Sequence, residues 1–129
     1  PMRSYVRSPM RQGRLFLAGD AGHIVPPTGA KGLNLAVRDV ARLATALATW
    51  LSRGDARLAD EYAETSLRRV WRATHFSWWM TSMLHVDPQS DQFGAELQLA
   101  QLRYVISSRA AATTLAENYT GYFPLTWKY

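Results

Sequence analysis

Residues 19–32 hold four glycines and two adjacent prolines, but a single aspartate and a single lysine. Glycine at that density leaves the backbone loose, and proline removes donors, so neither a regular helix nor a regular strand runs through the stretch. A solvated linker would be more polar. The composition therefore predicts an ordered, partly buried loop, the kind of segment that carries function. Before it, Arg14-Leu15-Phe16-Leu17-Ala18 is a short apolar run stopped by Gly19-Asp20, the pattern of a buried strand in a sheet covered on both faces. After it, Leu33, Val37, Val40, Ala41, Ala44, Leu47, Ala48 and Leu51 recur at helical spacing. That spacing predicts a helix with this face inward, ended by Arg53-Gly54-Asp55.

The flanking segments are simpler. Residues 1–13, with prolines at 1 and 9, read as extended, with a short strand over 4–7. A second helix is expected from Ala56, with Leu58, Tyr62, Leu67, Val70 and Trp71 on its buried side, running through Phe76, Trp78 and Trp79 to about Leu84. Pro88 breaks the chain. A third helix over 91–107 places Phe93, Leu97, Ala100 and Tyr104 inward, and a fourth runs from Ser108 to about Glu117, before a turn at Asn118-Tyr119-Thr120-Gly121. The tail, residues 123–129, carries no motif. One strand cannot satisfy its own backbone groups, so its sheet partners are expected outside this chain. The expected fold is mostly α-helical with one or two strands and a loaded loop, a part of a larger α/β protein. Residues 1–53 would complete a ligand-binding domain with a strand, loop and helix; residues 54–129 would form a helical C-terminal region.

Composition narrows the function classes. No apolar run approaches the roughly 18 residues of a membrane-spanning helix. Cysteine is absent, which excludes disulfides, thiolate nucleophiles and thiolate-held metals. The chain opens Pro1-Met2-Arg3-Ser4 without the apolar core of a signal peptide, so a piece of a longer, cytoplasmic protein is expected. His23, His75 and His85 have no metal-ligand spacing, and no metal is expected. The formal charge of +5 and the preponderance of arginine over lysine allow an anionic partner. No nucleic-acid recognition motif accompanies them, and no nucleic-acid partner is expected. Asn118-Tyr119-Thr120 fits a glycosylation sequon, but nothing at the start of the chain offers it a secretory route.

The loop itself carries the chemistry. A strand that ends at Asp20 delivers a carboxylate to the carboxyl end of a sheet, where open α/β folds bind ligands, and a carboxylate there accepts hydrogen bonds from hydroxyls. Thr28 to Asn34 then opens a helix with Gly29, Ala30 and Gly32, small enough for a flat ligand to approach the backbone. The free amides of that helix start favour a partially negative oxygen. Two familiar phosphate motifs fail on spacing: Lys31 is followed by Gly32 rather than Ser or Thr, and Gly-x-Gly-x-x-Gly is absent.

Residues 14–39, containing Gly-Asp-Ala-x-His-x-x-Pro-Pro-x-Gly-x-x-Gly-Leu-Asn, resemble the second flavin-binding motif of the flavoprotein aromatic hydroxylases. Leu67-Arg68-Arg69-Val70-Trp71, Phe76-Ser77-Trp78-Trp79-Met80-Thr81-Ser82 and Ala116-Glu117-Asn118-Tyr119 resemble the branch of that family that hydroxylates 4-hydroxybenzoate. The resemblance covers nearly the whole chain, but about the C-terminal third of such an enzyme. It implies FAD as cofactor, NADPH as co-substrate, and oxygen transfer ortho to the phenol to give 3,4-dihydroxybenzoate, in a cytoplasmic homodimer. By the matching positions, Asp20 would bond the ribityl chain. Leu33 and Asn34 would offer backbone amides to the pyrimidine edge of the flavin, and Gly29, Lys31 and Gly32 would complete the cofactor wall, Lys31 with positive potential. Pro27 would present its carbonyl to the substrate hydroxyl, with Thr28 and Gly29 walling the pocket, and Tyr119 would belong to a proton relay. The relay's second tyrosine, the arginine and serine that read the substrate carboxylate, and the N-terminal dinucleotide fingerprint have no counterpart here. The missing N-terminal part of the enzyme is therefore the first partner expected, and the chain alone is expected to be inactive. Gly22 departs from the alanine commoner in relatives. The rival expectation is a helical interaction module of the same ancestry, without redox chemistry.

Overall fold

A computed structural model describes residues 3–121. Four strands of two residues each come first: β1 (Tyr5–Val6), β2 (Arg11–Gln12), β3 (Leu15–Phe16) and β4 (His23–Ile24), with a 3-10 turn over Gly19–Ala21 between the last two. Four helices follow: α1 (Gly32–Arg53), α2 (Arg57–Leu84), α3 (Gln92–Ser107) and α4 (Arg109–Thr120). The chain forms two compact units that divide between Ser77 and Trp78, inside α2. No helix among the described residues is long and apolar enough to cross a membrane.

In the first unit, β1 pairs antiparallel with β4 (Tyr5 opposite Ile24, Val6 opposite His23), and β2 pairs antiparallel with β3 (Arg11 opposite Phe16, Gln12 opposite Leu15). The expectation of one buried strand over 14–18, with partners elsewhere, is corrected. Gly13, at φ +58°, and Arg14 make a two-residue turn that folds β2 back on β3, and Leu17 N–H donates to the Met10 carbonyl at 2.9 Å. Leu15 is 62% exposed, as an outer face of a small hairpin is. The core is Met10, Val25, Leu35, Tyr62 and Val70, with Phe16, Leu43 and Leu67 packed against it. An ion pair from Arg11 to Asp60 ties β2 to α2.

α1 has the expected span, but a different side faces the core. Leu35, Asp39 and Ala46 are buried, whereas Leu33, Val37, Val40 and Leu51 are more than half exposed. The apolar spacing was outweighed by Asp39, whose partners lie inside the unit. α1 ends at Gly54, left-handed at φ +73°, whose N–H reaches the Trp50 carbonyl; glycine takes that conformation without a steric penalty. Asp55 accepts the Arg57 N–H at 3.0 Å and starts α2. On α2, Tyr62, Val70 and Phe76 are buried as expected, but Trp71 and Trp78 are exposed.

The second unit buries Met80, Met83, Val105 and Ala111. Here too the inward face of α3 differs from expectation: Phe93, Leu97 and Tyr104 are exposed, while Gln98 turns its Nε2 to the carbonyls of Ser82, Met83 and His85, each at 3.1 Å. Those are orphan acceptors at the end of α2, and meeting them fixes the roll of α3. The turn expected at 118–121 is instead the last turn of α4. Asn118 and Thr120 bond back to the carbonyls of Thr114 and Ala116, which keeps polar residues inside the helix. The tail, residues 123–129, lies outside the described residues.

Candidate functional site

The segment joining β3 to α1 is held by side chains from three distant parts of the first unit. Tyr62, fully buried on α2, donates its hydroxyl to the Leu17 carbonyl at 2.7 Å. Tyr5 donates to the Asp20 carbonyl. Asp39, from α1, accepts the Gly19 N–H at 3.1 Å on Oδ2, and the same oxygen lies 2.6 Å from His23 Nε2. Backbone bonds add to these: Arg7 N–H to the Gly22 carbonyl at 2.7 Å, and Gly22 N–H to the Gly19 carbonyl at 2.8 Å. Gly19 needs to be glycine on two counts. Its φ is +57°, and a Cβ would stand 3.2 Å from the Ala36 Cβ. At Gly22 a Cβ would meet only the terminal methyl of Met10 closely, at 2.9 Å. A flexible side chain can move there, so an alanine would be accommodated.

The second half of the loop is shaped by its own backbone. The Pro27 carbonyl accepts the Ala30 N–H at 2.9 Å, and Gly29 and Ala30 both have positive φ, +92° and +51°. Gly29 lies against α2: a Cβ would stand 3.1 Å from the Phe76 ring. Lys31 Nζ sits over that same ring, 5.4 Å from its centroid, a cation–π contact. Burial pulls the Lys31 ammonium below the ordinary lysine value.

The N-cap residue of α1 gives the helix start no side-chain acceptor. Lys31, at its N-cap, has helical backbone angles and provides no side-chain cap, and the first turn carries no acid. Leu33 and Asn34 are exposed at this helix start. Asp20 is also exposed, and its carboxylate accepts no hydrogen bond and forms no ion pair among the described residues. The site thus offers an unengaged acceptor at one end and uncapped amide donors at the other, with small residues between. That donor set fits a flavin: hydroxyls suit the carboxylate, and carbonyl oxygens of a flat ring suit the amides. Among the described residues no group of acidic or histidine side chains is placed to hold a metal ion.

The structure brings Asp20, Pro27, Thr28, Gly29, Lys31, Gly32, Leu33 and Asn34 together in the first unit. Tyr119 belongs to the second, on α4, and is 59% exposed. Three residues that organise the loop were not read from the sequence as part of a site: Asp39, Tyr62 and Tyr5. Asp39 had a legible signal. It stands mid-helix between Leu35 and Leu43, four residues away on either side, a carboxylate set in an apolar stripe.

A family model described as an FAD binding domain matches residues 1–77. p-Hydroxybenzoate hydroxylase of Acinetobacter baylyi is 54% identical over 121 residues, 94% of this chain and 30% of that protein. Tetracenomycin B2 monooxygenase-dioxygenase of Streptomyces olivaceus is 45% identical over 62 residues, 47% of this chain and 12% of its own length. Rifampicin monooxygenase of Streptomyces venezuelae is 48% identical over 56 residues, 40% of this chain and 11% of that protein. The chain thus spans less than a third of each of these curated relatives. With the model matching more than half of its length, the chain belongs to the FAD-binding-domain family of flavin-dependent monooxygenases.

Proposed function

We propose that this chain is the flavin-loop and C-terminal portion of an aromatic hydroxylase that converts 4-hydroxybenzoate to 3,4-dihydroxybenzoate with NADPH and O2, as a cytoplasmic homodimer. The observation that carries the reading is the pairing of the Asp20 carboxylate, without a partner among the described residues, with the uncapped start of α1 on one braced loop. The 54% identity to a p-hydroxybenzoate hydroxylase supports the choice of substrate. FAD, when bound and reduced by NADPH, supplies the activation of O2 that puts one oxygen atom on the ring and releases the other as water.

The residues of this chain bind, orient and move a proton. Asp20 is acceptor-only when ionised, so it takes ribityl hydroxyls and repels phosphate. The Leu33 and Asn34 amides, at the positive end of α1, would hold the pyrimidine edge of the flavin and would stabilise negative charge there. Gly29 and Gly32 let the ring approach the backbone, and Lys31 adds positive potential. The Pro27 carbonyl spends one lone pair on Ala30 N–H, which leaves the second for the substrate phenol, beside Thr28. Tyr119 receives the phenol proton through a second tyrosine outside this chain. Loss of that proton makes the ring electron-rich and ready for electrophilic attack.

In the full-length protein, Asp20→Ala should weaken FAD binding about tenfold or more, the effect of losing a hydrogen bond to a charged group. Tyr119→Phe should leave FAD affinity intact and slow hydroxylation. Equilibrium titration with FAD and turnover with 4-hydroxybenzoate check both. FAD affinity unchanged in Asp20→Ala would overturn the reading. The isolated chain should show no substrate-stimulated NADPH oxidation.

A further inference from the structure

We propose that Asp39 is a positioning residue for the cofactor site, tying the turn that bears Asp20 to the helix whose start bears Leu33 and Asn34. The inference rests on the flavin reading above and adds to it a residue that does not itself touch the cofactor.

Asp39 is out of place by the rules of its own helix. Aspartate is a poor former in helix interiors, where it cannot reach the free amides of the first turn. It is only 4% exposed, on a stripe shared with Leu35 and Ala46. Neither Arg38 nor Arg42 pairs with it among the described residues. A buried carboxylate needs compensation, and Asp39 draws it from the loop: Oδ2 accepts Gly19 N–H at 3.1 Å and meets His23 Nε2 at 2.6 Å.

Those two donors bracket Asp20 in the sequence. One oxygen therefore grips the chain immediately before the cofactor carboxylate and three residues after it. The grip is short and unyielding at both ends. His23 is 1% exposed and paired in the β1–β4 ladder, and Gly19 is seated against Ala36, one turn before Asp39 on the same helix. His23 Nδ1 is buried without a hydrogen-bond partner among the described residues. A proton there would be an unsatisfied buried donor, which places the ring proton on Nε2, toward the carboxylate. The acceptor that binds the ribityl chain and the amides that face the ring thus keep a fixed spacing through Asp39.

The test uses the full-length apoenzyme titrated with FAD, comparing wild type, Asp39→Ala, Asp39→Asn and Asp20→Ala. Asp39→Ala removes both loop bonds and should weaken FAD binding about tenfold to a hundredfold. Asp39→Asn keeps an oxygen in the same place and should recover most of that loss. At saturating FAD, the visible circular dichroism of the bound flavin should move in Asp39→Ala and return in Asp39→Asn, a signature that loss of global stability alone would not produce. If Asp20→Ala loses affinity while Asp39→Ala binds FAD with wild-type affinity and spectrum, the positioning role is wrong and the flavin reading stands. If Asp20→Ala itself binds FAD normally, both fall. Should Asp39→Ala not fold, His23→Leu, which removes the bond three residues after Asp20, decides: a several-fold faster FAD release supports the role, and a wild-type release rate overturns it.

Discussion

The starts of α1, α3 and α4 solve one problem in two ways. Each helix leaves its first amides without intrahelical partners. α3 meets this with Asp91, extended at its N-cap and accepting Gly94 N–H at 2.9 Å; α4 does so with Ser108, which accepts Ala111 N–H at 3.3 Å. α1 has Lys31 in helical geometry, no side-chain cap and no acid in its first turn. The helix ends do not differ in this way: α1 and α4 both stop at a left-handed glycine, Gly54 and Gly121. The contrast belongs to the helix starts, and it separates a unit that completes its own hydrogen bonds from one that keeps donors for something else. Around α1 the polar side chains brace the loop instead: Tyr5, Asp39 and Tyr62 hold residues 17–23, and none of them caps the helix.

The largest expected effect strikes that brace. Burial, reinforced by the nearby Asp39 charge, pushes the Tyr62 phenol up to about 12. The folded state therefore holds this proton more tightly than the unfolded chain, which releases it near pH 10. Below pH 10 both states are protonated and the full stability is present. Between pH 10 and 12 the unfolded state ionises first, and about 3 kcal/mol is lost. Tyr62→Phe should remove this part of the slope while losing about 1 kcal/mol at neutral pH with the Leu17 bond. The two stability curves should therefore cross above pH 10. Urea unfolding of the full-length protein and its Tyr62→Phe variant across pH 8–12 checks this, and parallel curves would mean that the phenol is not sealed in the core.

A second comparison sets two left-handed glycines against each other. Gly19 and Gly54 have φ of +57° and +73°, but a Cβ at Gly19 would press on Ala36 at 3.2 Å, whereas nothing lies within 4 Å at Gly54. Alanine at either site should cost about 1 kcal/mol for the backbone alone. Gly19→Ala should add about another 1 kcal/mol by pushing the loop off α1, and it should also weaken FAD binding, which Gly54→Ala should leave alone. Thermal melts with and without FAD separate the two. Equal losses would mean that Ala36 yields freely.

What could be read from the sequence follows the same division. The loop, the spans of α1, α2 and α3 and the glycine stop of α1 were legible, because glycine, proline and apolar spacing act locally. The inward faces of α1 and α3 were not. In each case a single polar residue, Asp39 or Gln98, sets the roll of the helix through partners 13 to 20 residues away in the chain. Periodicity weighs many apolar side chains and takes no account of a buried carboxylate or amide that must be met. The strand over 14–18 was misread for a related reason: the Gly13–Arg14 turn let the chain supply its own partner. Within the candidate site, the loop residues 20–34 were readable as a motif, but the residues that brace them, scattered from Tyr5 to Tyr62, share no local pattern.

The smallest expected effect tests the helix starts directly. Asp91→Ala and Ser108→Ala each remove one side-chain cap and should cost about 1 kcal/mol. The Ser108 effect should be the weaker, since its bond is longer, at 3.3 Å against 2.9 Å. Neither should alter FAD affinity, because these helices begin in the second unit and satisfy their own amides. α1 should answer differently, since on the proposed reading FAD would supply the acceptors its first turn lacks. Saturating FAD should therefore slow hydrogen exchange at the Leu33 and Asn34 amides and leave Gly94 and Ala111, already bonded, nearly unchanged. If all four amides were protected alike, FAD would be tightening the whole protein rather than capping one helix, and the distinction between the two kinds of helix start would collapse.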